Sequence, residues 1–136
     1  MKTFTTYLTF DGETREAMSF YQQCVGGDLM VQTFADAKFD APGAENRVIH
    51  AQLHQGAALL MASDTMPGMP FSKGNNFSIS INCESIEEAD RLHAALSEGG
   101  KVTMPMDHAF WGAYFGMITD KFGVNWMFNH EIPKKD

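Results

Sequence analysis

The sequence predicts an α+β fold of two tandem βαβββ modules, forming a curved mixed sheet around a cup with the helices on the outer face. Three observations carry this expectation. Apolar and polar residues alternate with period two at residues 3–10 and again at 76–83, as half-buried strands do. A helical stripe follows each strand and ends at a glycine pair, Gly26-Gly27 or Gly99-Gly100. The pairs lie 73 positions apart, and the same offset maps the first strand onto residues 76–83.

Taken in order, the strand at 3–10 is rich in threonine and aromatics, and Asp11-Gly12 breaks it. Ala17, Phe20, Tyr21 and Cys24 then fall at i, i+3, i+4 and i+7, one face of a helix. A second strand is expected at 29–35. Residues 36–46 collect turn formers and read as a loop. Strands near 47–54 and 57–62 follow, joined by a turn at Gln55-Gly56. In the second half, Ser85 and Glu88 form a capping box ahead of the stripe Ile86, Ala89, Leu92, His93 and Leu96. Further strands are expected near 101–106, 113–119 and 124–129, with Asp120-Lys121-Phe122-Gly123 as a hairpin turn.

The modules span about 3–64 and 76–130, with a linker near 65–75. About 65 residues is marginal for an independent core, so one domain of 136 residues is expected. Hydrophobic residues at 44% and charged residues at 20% exclude a disordered chain. A formal charge of −7 argues against a nucleic-acid partner. No apolar run reaches the roughly 18 residues a bilayer span needs, and the first ten residues alternate rather than forming a signal peptide's apolar stretch. Cys24 and Cys83 form no CxxC pair, which fits a reduced, cytoplasmic protein without a membrane partner.

Tyr7-Leu8-Thr9-Phe10-Asp11-Gly12, Phe20-Tyr21, His50-Ala51, Leu60-Met61-Ala62-Ser63-Asp64, Phe110-Trp111-Gly112 and the run Thr119 to Trp126 carry a likeness. Together with the duplicated βαβββ unit they resemble the PhnB-like branch of the vicinal oxygen chelate superfamily, from about residue 4 to 130. The superfamily includes glyoxalase I, ring-cleaving dioxygenases and antibiotic-resistance proteins, and this branch often carries a methyltransferase-type label. No glycine-rich turn follows a strand and opens a helix here, so the label has no support in the sequence.

The resemblance implies four metal-ligand slots, a His or Gln on the first strand of each module and a Glu on the last. They fall at Thr5 (with Tyr7 next on the same face), Met61, Ser78 and Met127. Thioethers and hydroxyls are poor ligands for Mg, Mn, Fe(II) or Zn, so no metal or other cofactor is expected and a divalent metal is the less favoured alternative.

On the strand 47–54, His50, Gln52 and His54 share one face and Ile49, Ala51 and Leu53 the other. His50 is the candidate general acid or base, since its ordinary pKa lies near neutrality; the plain alternative is a hydrogen-bonded structural histidine. A displaced metal on His50 and His54 would need a third donor such as Asp107, His108 or Asp120. The expected ligand-binding set is Tyr7, Gln52, His54, Met61, Ser78, Ser80, Asp107, Trp111 and Met127. Asn76, Ser78, Ser80 and Asn82 form a polar stripe. The segment Asp107 to Gly112 is expected to join two strands as a lid that stacks on a flat substrate, or as a plug or dimer contact. The buried-face cysteines read as packed thiols. The sequence therefore points to a small-molecule-binding or sequestering protein, homodimeric by the resemblance. The alternative is a lyase-, isomerase- or oxygenase-like enzyme using His50 or a displaced metal.

Overall fold

The computed structural model describes residues 1–133. The chain divides into two compact units, Met1–Ser72 and Lys73–Asp136. The first contains β1 (Thr6–Phe10), α1 (Thr14–Val25), β2 (Asp28–Thr33), β3 (Val48–Gln55) and β4 (Ala58–Asp64). Its sheet order is β1-β4-β3-β2, with β1 parallel to β4 and the other pairs antiparallel. The second unit repeats this with β5 (Ile79–Asn82), α2 (Ile86–Ser97), β6 (Lys101–Ala109), β7 (Ala113–Thr119) and β8 (Asn125–Glu131), in the order β5-β8-β7-β6. The α+β fold of tandem βαβββ modules is therefore present.

In each unit one sheet face lies under the helix. Helix α1 buries Thr14, Ala17, Met18, Tyr21 and Cys24, and Leu8, Phe10, Ala51, Leu53, Leu60 and Ala62 are buried on the strands. Helix α2 buries Ala89, Leu92, His93 and Leu96, with Ile118, Trp126 and Phe128 buried in its sheet. Each large side chain so buried contributes about 1.5–3 kcal/mol.

The two helices are capped differently. Ser85 accepts the N–H of Glu88 through its hydroxyl (3.0 Å), while the Glu88 carboxylate reaches back to the N–H of Glu84 (3.0 Å) rather than that of Ser85. At α1 the role passes to Asp64, at the far end of β4. Its Oδ1 accepts the N–H groups of Gly12 (2.8 Å) and Thr14 (3.1 Å) and the Thr14 hydroxyl (2.7 Å), and its Oδ2 accepts the Val48 N–H (2.9 Å). The same turn is clamped by Arg47, whose guanidinium donates to Asp11 (2.7 Å) and to the Thr65 carbonyl (2.8 Å). This pairing holds the Asp11 carboxyl below the ordinary carboxylate range.

Several expected boundaries shift. Strands β1 and β5 begin at Thr6 and Ile79, so Thr5, Asn76 and Ser78 precede the strands and the polar stripe shortens to Ser80 and Asn82. Strand β6 runs on to Ala109, which makes Asp107 and His108 strand residues rather than part of a connecting loop. Pro105 is tolerated within β6 because β6 is an edge strand. Ile49 leaves the face it was expected to share with Ala51 and Leu53. Gln32 pairs with His50 but Thr33 with Val48, leaving Ile49 as an extra residue at a bulge. It packs instead against Phe34, Ala41 and Ala44 of the β2–β3 connection.

Candidate functional site

The sheet face away from each unit's helix carries most of the expected site residues. In the first unit, strand register places Tyr7 beside Met61, Met61 beside Gln52, and Gln52 beside Met30. These four form one row across β1, β4, β3 and β2. His50 and His54 flank Gln52 along β3, two residues away on either side.

A continuous hydrogen-bonded chain links this face. The Tyr7 hydroxyl lies 3.0 Å from His50 Nδ1, with the rings stacked at 5.7 Å and 28°. Its side chain thereby crosses β4 to reach β3. His50 Nε2 lies 3.0 Å from Gln52 Oε1, and Gln52 Nε2 lies 3.1 Å from His54 Nε2. The amide orientation sets the direction of its own two bonds. Its N–H₂ donates to His54 Nε2 and its oxygen accepts from His50 Nε2–H; in the Nε2–H tautomer of His50, Nδ1 accepts the Tyr7 O–H. This orientation of the amide corresponds to a proton on Nε2 of His50 and on Nδ1 of His54.

The second unit repeats the row with other chemistry. Ser80 pairs with Met127, Met127 with Met117, and Met117 with Met104. Asp107 stands opposite Phe115, and its carboxylate accepts the N–H of His108 (2.7 Å). Trp111, in the β6–β7 turn, packs edge-on against Phe115 (5.4 Å) and Phe110 (5.1 Å). Ser78, half-buried, lies ahead of this row rather than in it. His108 stands opposite Tyr114 in register, its ring 5.2 Å from that phenol. Tyr114 donates to Asp90 of α2 (2.7 Å), which places this pair on the helix side and raises the phenol pKa.

Asp120, named as a possible metal donor, is buried and committed. Its Oδ1 accepts the N–H groups of Phe122 (2.8 Å) and Val124 (3.0 Å), and its Oδ2 accepts the Trp126 indole (2.8 Å). His93 is buried 3.2 Å from the Met104 carbonyl, and His130 bonds the Cys83 carbonyl (2.9 Å). Both cysteines are buried and outside any disulfide. Burial pushes the Cys83 thiol up to about 11, as expected of a packed thiol.

The sequence matches the family described as 3-demethylubiquinone-9 3-methyltransferase over residues 2–128. A Bacillus cereus structure described as a putative protein of that family, PhnB, superposes with a TM-score of 0.78 at 28% identity, covering 95% of this chain and 99% of that one. The chain belongs to this PhnB-like family. Protein PA1353 from Pseudomonas aeruginosa is more similar than that PhnB, with a TM-score of 0.89 and 44% identity over 98% of this chain and all of the other. Protein YjdN of Escherichia coli is 30% identical over 135 residues, 90% of this chain and 91% of its own. A glyoxalase/bleomycin resistance protein/dioxygenase family enzyme from Burkholderia phytofirmans shares the fold at 17% identity and a TM-score of 0.63, covering 93% and 98% of the two chains.

The superfamily's divalent metal does not fit this PhnB-like chain. Of the four slots, Thr5 and Ser78 precede their strands while Met61 and Met127 stand beside Tyr7 and Ser80, so hydroxyls and thioethers lie where carboxylate and imidazole are needed. The phenol is already bonded to His50. Among the described residues no three His, Cys, Asp or Glu side chains come together as a metal-ligand group. No helix among them is long and apolar enough to cross a membrane. Sequence reasoning missed Met30, Met104, Met117 and Phe115, whose place on these faces depends on strand register.

Proposed function

We propose that this PhnB-like chain binds or sequesters a small organic molecule on its open sheet faces without hard-metal catalysis. The observation that carries this reading is the thioether chemistry at two of the expected ligand slots, Met61 and Met127, whose register neighbours are Tyr7 and Ser80. Such faces combine apolar area with a few fixed polar groups, the make-up of small-molecule sites. Gln52, His54, Asp107 and Trp111 supply the polar and aromatic edges. Protein purified without chelator should hold well under one equivalent of Zn, Mn, Fe or Ni by elemental analysis. A near-stoichiometric divalent ion that disappears in His50→Ala or Tyr7→Phe would overturn the reading.

A second reading makes His50 a general acid or base. The chain Tyr7–His50–Gln52–His54 favours it, because both ring nitrogens of His50 are oriented by fixed partners. Incubation with metabolite libraries, followed by mass spectrometry, should then show a conversion that a folded His50→Gln variant lacks. Conversion retained in that variant would remove His50 from the chemistry. Methyl transfer is not part of either reading, since no glycine-rich turn follows a strand and opens a helix in this sequence.

The same proposal includes a homodimer in the cytoplasm, drawn from the superfamily likeness and from two cysteines that form no disulfide. Light scattering at micromolar concentration should give twice the mass of one chain. A monomer there would overturn that part.

A further inference from the structure

We propose that the open face of the second unit is a binding site for a soft monovalent cation, Cu(I) or its analogue Ag(I), held by the thioethers of Met104, Met117 and Met127. Met127 pairs with Met117, and Met117 with Met104, which stands between two register shifts of β6, so paired positions on neighbouring strands β8, β7 and β6 bring the three methionines side by side. Directly opposite residues carry Cβ atoms about 4.5–5.5 Å apart. A methionine side chain is long and unbranched, so the outer two sulfurs can lean over the central one and present three donors. Three thioethers select Cu(I) over hard divalent ions, which require oxygen or imidazole.

The first unit supplies an internal contrast. Its equivalent row reads Met30, Gln52, Met61, Tyr7, so an amide interrupts the sulfurs at the place Met117 occupies. Gln52 is further bound to both flanking histidines. The uninterrupted row is also open to solvent at one end, with Met104 44% exposed and Met117 and Met127 half-buried. Phe115 lies two residues along β7 from Met117 on the same face, with Trp111 against it, and aromatic faces favour a nearby cation.

The test uses the full chain labelled with ¹³C at the methionine methyl groups and titrated with silver nitrate in chloride-free buffer. The first equivalent should move the methyl signals of Met104, Met117 and Met127 together, leaving Met30 and Met61 in place. Met117→Leu keeps volume and packing and should weaken silver binding about tenfold or more, as loss of a supporting metal contact does. Met104→Leu, at an exposed edge-strand position, should do the same without disturbing the core. The proposal falls if the first equivalent leaves these three signals unmoved, or shifts all ten methionines alike. It also falls if both leucine variants bind silver as the parent does.

Discussion

The Tyr7 hydroxyl crosses β4 to meet His50 Nδ1 on β3 at 3.0 Å, with the two rings stacked. This contact and the Gln52 amide together select one tautomer of His50. Long-range ¹H–¹⁵N spectra at neutral pH should show the proton on Nε2. Tyr7→Phe combined with Gln52→Leu removes both partners and should give a mixture of the two tautomers. A parent protein with the proton on Nδ1 would show that the amide points the other way.

Asp64 accepts four hydrogen bonds through its two oxygens, all from groups near or within the first core. Asp64→Asn replaces one acceptor with an N–H₂ donor that must face either Val48 N–H or the α1 turn. Leaving a buried donor unmatched should lower stability by roughly 2–4 kcal/mol. Urea unfolding of the variant measures it, and a loss below about 0.5 kcal/mol, within the range of an ordinary surface change, would contradict the role.

Gly27 and Gly100 occupy equivalent places, and each lies against the backbone of a neighbouring strand. A Cβ at Gly27 would stand 2.1 Å from the His54 carbonyl oxygen, and one at Gly100 would stand 2.2 Å from that of Thr119. Backbone cannot yield as a side chain does, so Gly27→Ala and Gly100→Ala should each cost at least about 2 kcal/mol. Gly43→Ala meets nothing within 4 Å and adds only the left-handed backbone strain at φ +82. Its cost should be smaller, about 1 kcal/mol. Thermal unfolding of the three variants would show the ranking, and equal losses would refute it.

Cys83 has a thiol raised from 9.0 to about 11 in the folded chain, chiefly by burial. The folded state therefore holds this proton more tightly than the unfolded state does. Its contribution is fully present below pH 9 and disappears as the pH rises towards 11. Stability should fall across that window, and Cys83→Ala should flatten the fall. Iodoacetamide at pH 8 should label the folded Cys83 far more slowly than the unfolded one; equal rates would exclude the buried thiol.

The duplication was legible because it is written locally. Alternation, the helical stripes and the paired glycines each need only a few neighbouring residues, and all recur at one offset. His50, Gln52 and His54 could be placed on one face for the same reason. The Tyr7–His50 bond was not legible, since it joins residues 43 apart and depends on β4 lying between their strands. The methionine rows were hidden likewise: Met104, Met117 and Met127 share a face only through register, and the bulges of β6 around Met104 disguise its alternation. Ile49 misled because one extra residue reverses the face of a side chain.

The contrasting caps of α1 and α2 have a consequence for the order of assembly. Helix α2 carries its cap in its own sequence, with Ser85 three residues from Glu88, and can be nucleated as soon as that segment exists. Helix α1 receives Asp64 across 50 residues of chain. During synthesis from the N-terminus, its first turn stays hydrated until β4 has been made and has docked beside β1. The earlier helix in the sequence is therefore the one whose start is fixed by a late, non-local event, and the closing of that contact marks the completion of the first unit.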